Sequence, residues 1–327
     1  MRPRPVALRR SALATALRLG AAPAILRHRI VVSARAGTSS AELADHYLVE
    51  HLRQLLNVAQ LHLAVGIAAF GPFVKPTLQL FDGRGRPLAY VKIGWNPATR
   101  RIVAREADVL ERWAPVAGIE VPKLIGRHDW HGRVVAVTAP LPTRSRRVPT
   151  VSWPCVEGAR AIAGAHGLTD LAVADTPLLA EAEATLGVLS GHPASERAEA
   201  ALVAARSAAD VVVPHGVAHG DWVPWNLAVA AGELVVWDWE HAIDQAPLGF
   251  DLVHWAYQQR VVVQGEDPES AFGQVVSDTA DVWPALGLSP EQAAATAAVH
   301  RWAIITREAL PDVVDGTDPS AGSPGDP

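Results

Sequence analysis

The sequence predicts an α+β chain: a small antiparallel sheet with one helix, followed by a larger, mostly helical lobe. Three observations carry this. Strand-like runs flank a Gly-containing turn between Pro76 and Ile93, and a helix start signal follows at Asn96-Pro97. Ala- and Leu-rich stretches with helical periodicity fill 156–209 and recur from Pro290 to Leu310. Between them, Leu227-Ala228-Val229-Ala230 and Leu234-Val235-Val236-Trp237 surround Ala231-Gly232-Glu233 as a hairpin pattern. The expected division is a basic extension and helix over 1–59, a small lobe over 60–139, a helical lobe over 140–310, and a tail over 311–327. The Gly, Pro, Ser and Asp content of that tail predicts disorder.

In the small lobe, Asp82-Gly83-Arg84-Gly85 is the turn between Pro76–Phe81 and Leu88–Ile93. Strand alternation puts Ala89, Val91 and Ile93 on one face and Lys92 on the other. Asn96 suits the N-cap and Pro97 the first helical position. In the helix that follows, Ile102, Val103, Val109, Leu110 and Trp113 share a sector, and Glu106 projects through its middle. A buried carboxylate needs a cation, and the preceding strand supplies Lys92. Such a strand-Lys to helix-Glu pair can hold nucleotide phosphates. Gly66 and Gly71, in a segment without the full G-x-G-x-x-G spacing, are candidates for backbone contact with phosphate, together with Lys75.

The most specific segment is His219-Gly220-Asp221-Trp222-Val223-Pro224-Trp225-Asn226, followed by Trp237-Asp238-Trp239-Glu240. Asp221 is a candidate base for a hydroxyl, and Asn226 and Asp238 supply hard oxygen ligands for Mg²⁺. A hairpin centred on Gly232 sets Asn226 opposite Asp238, near enough for one ion to bridge them.

These residues resemble the aminoglycoside phosphotransferase family, which shares the two-lobed protein-kinase-like fold with choline kinases. The resemblance covers about residues 60 to 310. Its H-G-D-x-x-x-x-N pattern falls on His219, Gly220, Asp221 and Asn226, and its second metal-binding Asp on Asp238. Lys92 and Glu106 match its ATP-phosphate pair, and Gly249-Phe250-Asp251-Leu252 its small-x-Asp-Leu segment, where Asp251 ties down the catalytic loop. The resemblance implies that residues 121–138 form the later strands of the small lobe. Ala139-Pro140-Leu141-Pro142 then forms the linker whose backbone meets adenine. It further implies a phosphotransferase using ATP and Mg²⁺ on the hydroxyl of a small molecule of aminoglycoside, sugar or amino-alcohol type.

Composition narrows the alternatives. At 327 residues and 49% hydrophobic content, the chain can bury a proper core. A net charge of −5 argues against a nucleic-acid binder. The single Cys155 excludes a disulfide framework and Cys-rich zinc sites, and there is no H-E-x-x-H or G-x-S-x-G. No apolar run is long enough to span a membrane. Arg2, Arg4, Arg9 and Arg10 precede an Ala/Leu-rich run, but Arg18 interrupts it, and a basic amphipathic extension fits better than an export peptide. ATP chemistry favours the cytoplasm. A nucleotide-binding protein without transfer activity, and a metal-dependent hydrolase using His215, His219, Asp221 and Asp238, are the competing readings.

Overall fold

A computed structural model of the chain describes residues 37–66, 74–142, 145–148 and 153–315. The α+β class is observed: eleven α-helices accompany sheets whose strands are paired antiparallel but for one parallel pair, among the described residues. Gly71, the Arg-rich N-terminus and the last twelve residues lie outside the described residues.

The chain divides into two compact units, one comprising residues up to 64 with 78–89, the other 65–77 with 90 onward. The first contains α1 (Ser40–His46) and α2 (Leu48–Leu55). Helix α1 begins in a capping box, with Ser39 N–H donating to Glu42 and Glu42 N–H to Ser39 Oγ. The turn after Phe81 is closed by Asp82, whose Oδ1 accepts from the N–H groups of Arg84 and Arg86 at 2.8 and 2.9 Å.

The second unit holds every candidate residue discussed below. Strand β3 (Pro87–Gly94; β1 and β2 are His62–Gly66 and Thr77–Phe81) enters it at Tyr90 and pairs with β6 (Arg133–Thr138), placing Lys92 opposite Ala136. β6 pairs in turn with β5 (Leu124–Trp130) across a two-residue turn, His131-Gly132, with φ of 51° and 70°. These values define the tight hairpin turn that matches strand twist. Alternation holds as expected: Val91 and Ile93 are buried and Lys92 is on the other face. Helix α3 (Pro97–Arg112) starts where predicted, with Thr99 N–H donating to Asn96 Oδ1 at 2.7 Å. It buries Val103, Ala107, Val109 and Leu110, and Glu106 with them.

After β4 (Ile119–Glu120) and β7 (Arg146–Arg147), the unit is mostly helical: α4 (Trp153–Ala163), α5 (Ala182–Val188), α6 (Ser195–Ser207) and α7 (Phe250–Gln258). Three short helices follow, α8 (Pro268–Phe272), α9 (Val275–Asp278) and α10 (Trp283–Leu286), and then α11 (Pro290–Asp315). Helix α11 continues past Leu310, where the expected tail begins, to Asp315. Two small sheets sit among these helices. One has the order β4-β11-β10-β7, with β10 (Leu227–Ala230) and β11 (Glu233–Val236) at its centre. The other is β12 (Ile243–Pro247), β9 (Val212–Ala218) and β8 (Thr169–Ala172). The core around them is built on Trp222, Trp239, Trp255, Leu227, Val236 and Leu252, all essentially without exposure. No helix among the described residues is long and apolar enough to cross a membrane.

Candidate active site

The hairpin register corrects one expectation. Its turn is the dipeptide Ala231-Gly232, with φ of 52° and 91°, so Leu227 pairs with Val236 and Ala230 with Glu233. Continuing that register, Trp237 N–H donates to Asn226 O at 3.2 Å, and Asn226 therefore faces Trp237 and not Asp238. A two-residue loop has its centre between Ala231 and Gly232, which shifts the pairing by one position. Asp238 falls just beyond the ladder, in the left-handed region at φ 72° and ψ 55°, where Asp is tolerated better than most residues. This reversal leads into a single 3₁₀ turn, Trp239–His241.

Lys92 is the hub of the charged cluster. Its Nζ lies 2.6 Å from Glu106 Oε2, bonds to Asp238 Oδ1, and sits 3.6 Å from Glu240 Oε2. Glu240 is held at 2.5 Å by Lys75. The predicted Lys92–Glu106 pair is thus formed, and Asp238 joins it. Burial alone would depress the Lys92 ammonium, but Glu106, Asp238 and Glu240 together hold it above its ordinary range. Asp238 is brought down to about 2, because Lys92 and Lys75 outweigh its burial. Glu240 is pushed up by burial and by the neighbouring Asp238. Glu240 and Asp244 are taken up by Lys75 and by Arg105, the latter 3.1 Å from Asp244. Arg105 also donates to Ala242 O at 2.9 Å, so this one residue of α3 holds the segment at both Ala242 and Asp244.

The catalytic-loop candidate is fixed from behind. Asp251, at the start of α7, accepts from His219 N–H at 2.8 Å and Gly220 N–H at 2.9 Å, which is the tethering role the family resemblance implied. His219 is fully buried; its Nε2 donates to Trp237 O at 3.0 Å, and its Nδ1 accepts from Asp221 N–H at 3.3 Å. Both nitrogens are therefore committed to the backbone. His215 is equally committed, to Thr176 Oγ1 and Val213 O. The hydrolase reading, which needs these imidazoles as metal ligands, has no free nitrogen to use.

Asp221 accepts from Asn226 Nδ2 at 2.8 Å and from His254 Nε2 at 3.0 Å. Burial would raise this carboxyl, but the His254 hydrogen bond and the positive charge of Arg307 more than offset it and hold Asp221 well below the usual range. Its side chain is 23% exposed while that of His254 is not exposed at all, so the carboxylate is the solvent-facing end of this chain of groups. The amide of Asn226 can be oriented without ambiguity. Its Nδ2 meets two acceptors, Asp221 O at 3.1 Å and Asp221 Oδ2, which leaves Oδ1 as the oxygen without a hydrogen-bond partner among the described residues. Among the remaining candidates, Gly66 ends β1, and Ala139 N–H donates to Lys123 O at 2.8 Å.

Sequence reasoning missed His254, His300 and Arg307. His254 Nδ1 is 3.1 Å from His300 Nε2, and Arg307 Nη1 donates to Gly220 O at 2.7 Å. The available signal was polar residues inside apolar helical runs, Val253-His254-Trp255 and Val299-His300, which demand buried partners.

Burial pushes His254 down to about 4 and His241 to about 3, and holds His300 well below its ordinary value. At these three imidazoles the unfolded chain therefore binds more protons than the folded one between pH 6.5 and 4, so their contribution to stability falls as pH falls, opposed by the raised carboxyl of Glu240, which takes up its proton in the folded state first. Each such group contributes a slope of up to about 1.4 kcal/mol per pH unit. The urea midpoint is expected to drop steadily from pH 7 to pH 5; a flat midpoint over that window would contradict neutral burial.

No protein-family model matches this chain, and no curated protein does. It is similar in structure to a protein from Haemophilus somnus 129PT assigned as a fructosamine-3-kinase, at 12% identity and a TM-score of 0.45, covering 80% of this chain and 96% of that one. An amicoumacin kinase in complex with AMP-PNP, Ca²⁺ and Ami matches at 14% identity and a TM-score of 0.39, over 76% of this chain and 80% of that one. A glucosamine kinase matches at 16% identity and a TM-score of 0.35, over 88% and 84%. Likenesses this distant decide nothing about chemistry, which rests on the geometry above.

Proposed function

We propose that the chain is a small-molecule kinase that transfers the terminal phosphoryl group of ATP to a hydroxyl, with an aminoglycoside, sugar or amino alcohol as the type of acceptor. The observation that carries this reading is Asp221, an ionised, partly exposed carboxylate whose inner contacts are fixed by His254 and Asn226. It lies close enough to Asp238 for the two charges to act on each other, beside the Lys92–Glu106 pair. A carboxylate so placed accepts the hydroxyl proton as the oxygen attacks phosphorus. The phosphoryl group moves to that oxygen, the bond to the β-phosphate oxygen breaks, and ADP leaves.

The donor set fits a Mg²⁺-nucleotide. Asn226 Oδ1 has no hydrogen-bond partner among the described residues, and Asp238 supplies a carboxylate held ionised. Glu106 Oε2 and Glu240 Oε2 are buried oxygens held by ion pairs and not by aligned hydrogen bonds. One oxygen each from Glu106, Asp238 and Glu240 lies within 4.8 Å of the others, and the cation these three share is the Lys92 ammonium, which leaves the outer side of Asp238 for the metal. Asn226 and Asp238 would hold the metal, and Lys92, fixed by Glu106, would meet the phosphates. When bound, Mg²⁺ neutralises phosphate charge and aligns the terminal phosphoryl group. His219, whose ring serves the backbone, acts by shaping the loop.

Asp238→Ala is expected to weaken Mg²⁺-dependent ATP binding by roughly tenfold or more, because one of few protein ligands is lost. Titration with and without the metal checks it, and an unchanged metal dependence would remove Asp238 from the metal site.

A further inference from the structure

Behind Asp221 lies a second layer of titratable groups. Asp221 Oδ1 is 3.0 Å from His254 Nε2, and His254 Nδ1 is 3.1 Å from His300 Nε2. Both imidazoles are without exposure, and His300 Nδ1 is buried with no hydrogen-bond partner among the described residues. The His300 ring is enclosed edge-on by Phe250 at 4.9 Å, Tyr257 at 5.9 Å and Phe272 at 6.2 Å between centroids.

We infer that His254 and His300 form a hydrogen-bond chain of fixed direction that sets the position of the Asp221 carboxylate, which makes both of them positioning residues for the phosphoryl transfer proposed above. The inference rests on that reading for its function, but the direction of the chain follows from local chemistry. An ionised carboxylate only accepts, so His254 Nε2 carries the proton. A neutral imidazole has one N–H, so His254 Nδ1 is the acceptor and His300 Nε2 the donor. That leaves a bare lone pair at His300 Nδ1 inside an aromatic pocket, which costs less than a bare N–H there. A second proton on either ring is opposed by full burial and by Arg307.

The direction has a mechanistic consequence. His254 Nε2 already carries its proton, so the chain cannot relay a proton taken up by Asp221. It acts by holding the carboxylate in place. The same helix fixes the main chain as well, since Arg307, two turns from His300 on α11, donates to Gly220 O. One helix thus anchors both the backbone and, through two imidazoles, the side chain of the proposed base.

The test is long-range ¹H–¹⁵N NMR of the full chain, which distinguishes imidazole tautomers. The expected result is Nε2–H at both residues, with His254 Nδ1 at the shift of a hydrogen-bonded acceptor. In His300→Gln the side-chain amide can take the place of Nε2–H, and the His254 Nδ1 resonance should stay. In His300→Leu it should move to the position of an unbonded lone pair. Wherever label passes from ATP to a hydroxyl compound, His300→Leu should lower kcat roughly tenfold with the KM for ATP unchanged, and His300→Gln should restore it. A proton on His254 Nδ1 in the wild type, an unmoved Nδ1 resonance in His300→Leu, or equal kcat in both variants would overturn the inference. MgADP titration of the wild type separates the two claims: absent nucleotide binding would sink the kinase reading and leave the tautomer result standing.

Discussion

Asp221→Ala is expected to abolish phosphoryl transfer while leaving nucleotide affinity within a few-fold of wild type. A positioned base contributes roughly 10²–10⁴-fold. Of the groups that would bind phosphate and metal, Lys92 bonds to Glu106 and Asp238 and not to Asp221, and only Asn226, through its Nδ2, bonds to Asp221. Removing Asp221 does strip an acceptor from His254 and from Asn226. Asp221→Asn addresses this for His254, because its amide oxygen can still accept from that imidazole while the negative charge is gone; its amide nitrogen then faces the Asn226 donor. Both variants should be inactive and both should bind MgATP. Turnover retained by either would show that the base lies elsewhere.

The largest expected effect on folding is at Gly220. Its φ is +76°, and a Cβ built there would lie 1.9 Å from His241 O and 2.8 Å from His241 C. Both obstacles are backbone, so neither can swing aside. The left-handed conformation costs a non-glycine residue about 1–2 kcal/mol, and overpacking a rigid site adds about 1–3 kcal/mol more. Gly220→Ala should therefore destabilise the protein by about 3 kcal/mol or more, visible as a lowered urea midpoint. Because His241 closes the turn that follows Asp238, nucleotide binding and turnover should fall together in this variant. Gly232→Ala is the control: its φ is +91°, yet nothing lies within 4 Å of the added Cβ. It should cost only about 1 kcal/mol and leave activity intact.

How much of this was legible in the chain follows from the range of the forces involved. The Lys92–Glu106 pair could be predicted, because strand alternation sets the face of Lys92 and helical periodicity sets that of Glu106. The start of α3 could be predicted because Asn96 and Pro97 act locally. The opposition of Asn226 and Asp238 was off by one residue, since a strand pattern does not say which two residues close its turn, and Ala231 at positive φ is an uncommon choice. The fate of Glu240 was hidden because Lys75 lies far from it in sequence and nothing in the local pattern links the two. The Asp221–His254–His300 chain was the least visible. Its members are 33 and 46 residues apart, joined only by the packing of α7 and α11. An isolated His in an apolar helix says that a partner exists and does not say which one.

The central claim is transfer of a phosphoryl group from ATP to a small-molecule hydroxyl at Asp221. The most direct measurement is incubation of the full chain with Mg²⁺ and γ-labelled ATP across a panel of aminoglycosides, sugars and amino alcohols, with Asp221→Asn run beside it. The account predicts label on the hydroxyl of at least one compound class with wild type and none with Asp221→Asn. MgATP binding without label on any acceptor would contradict it and define a protein that holds nucleotide without transferring phosphate.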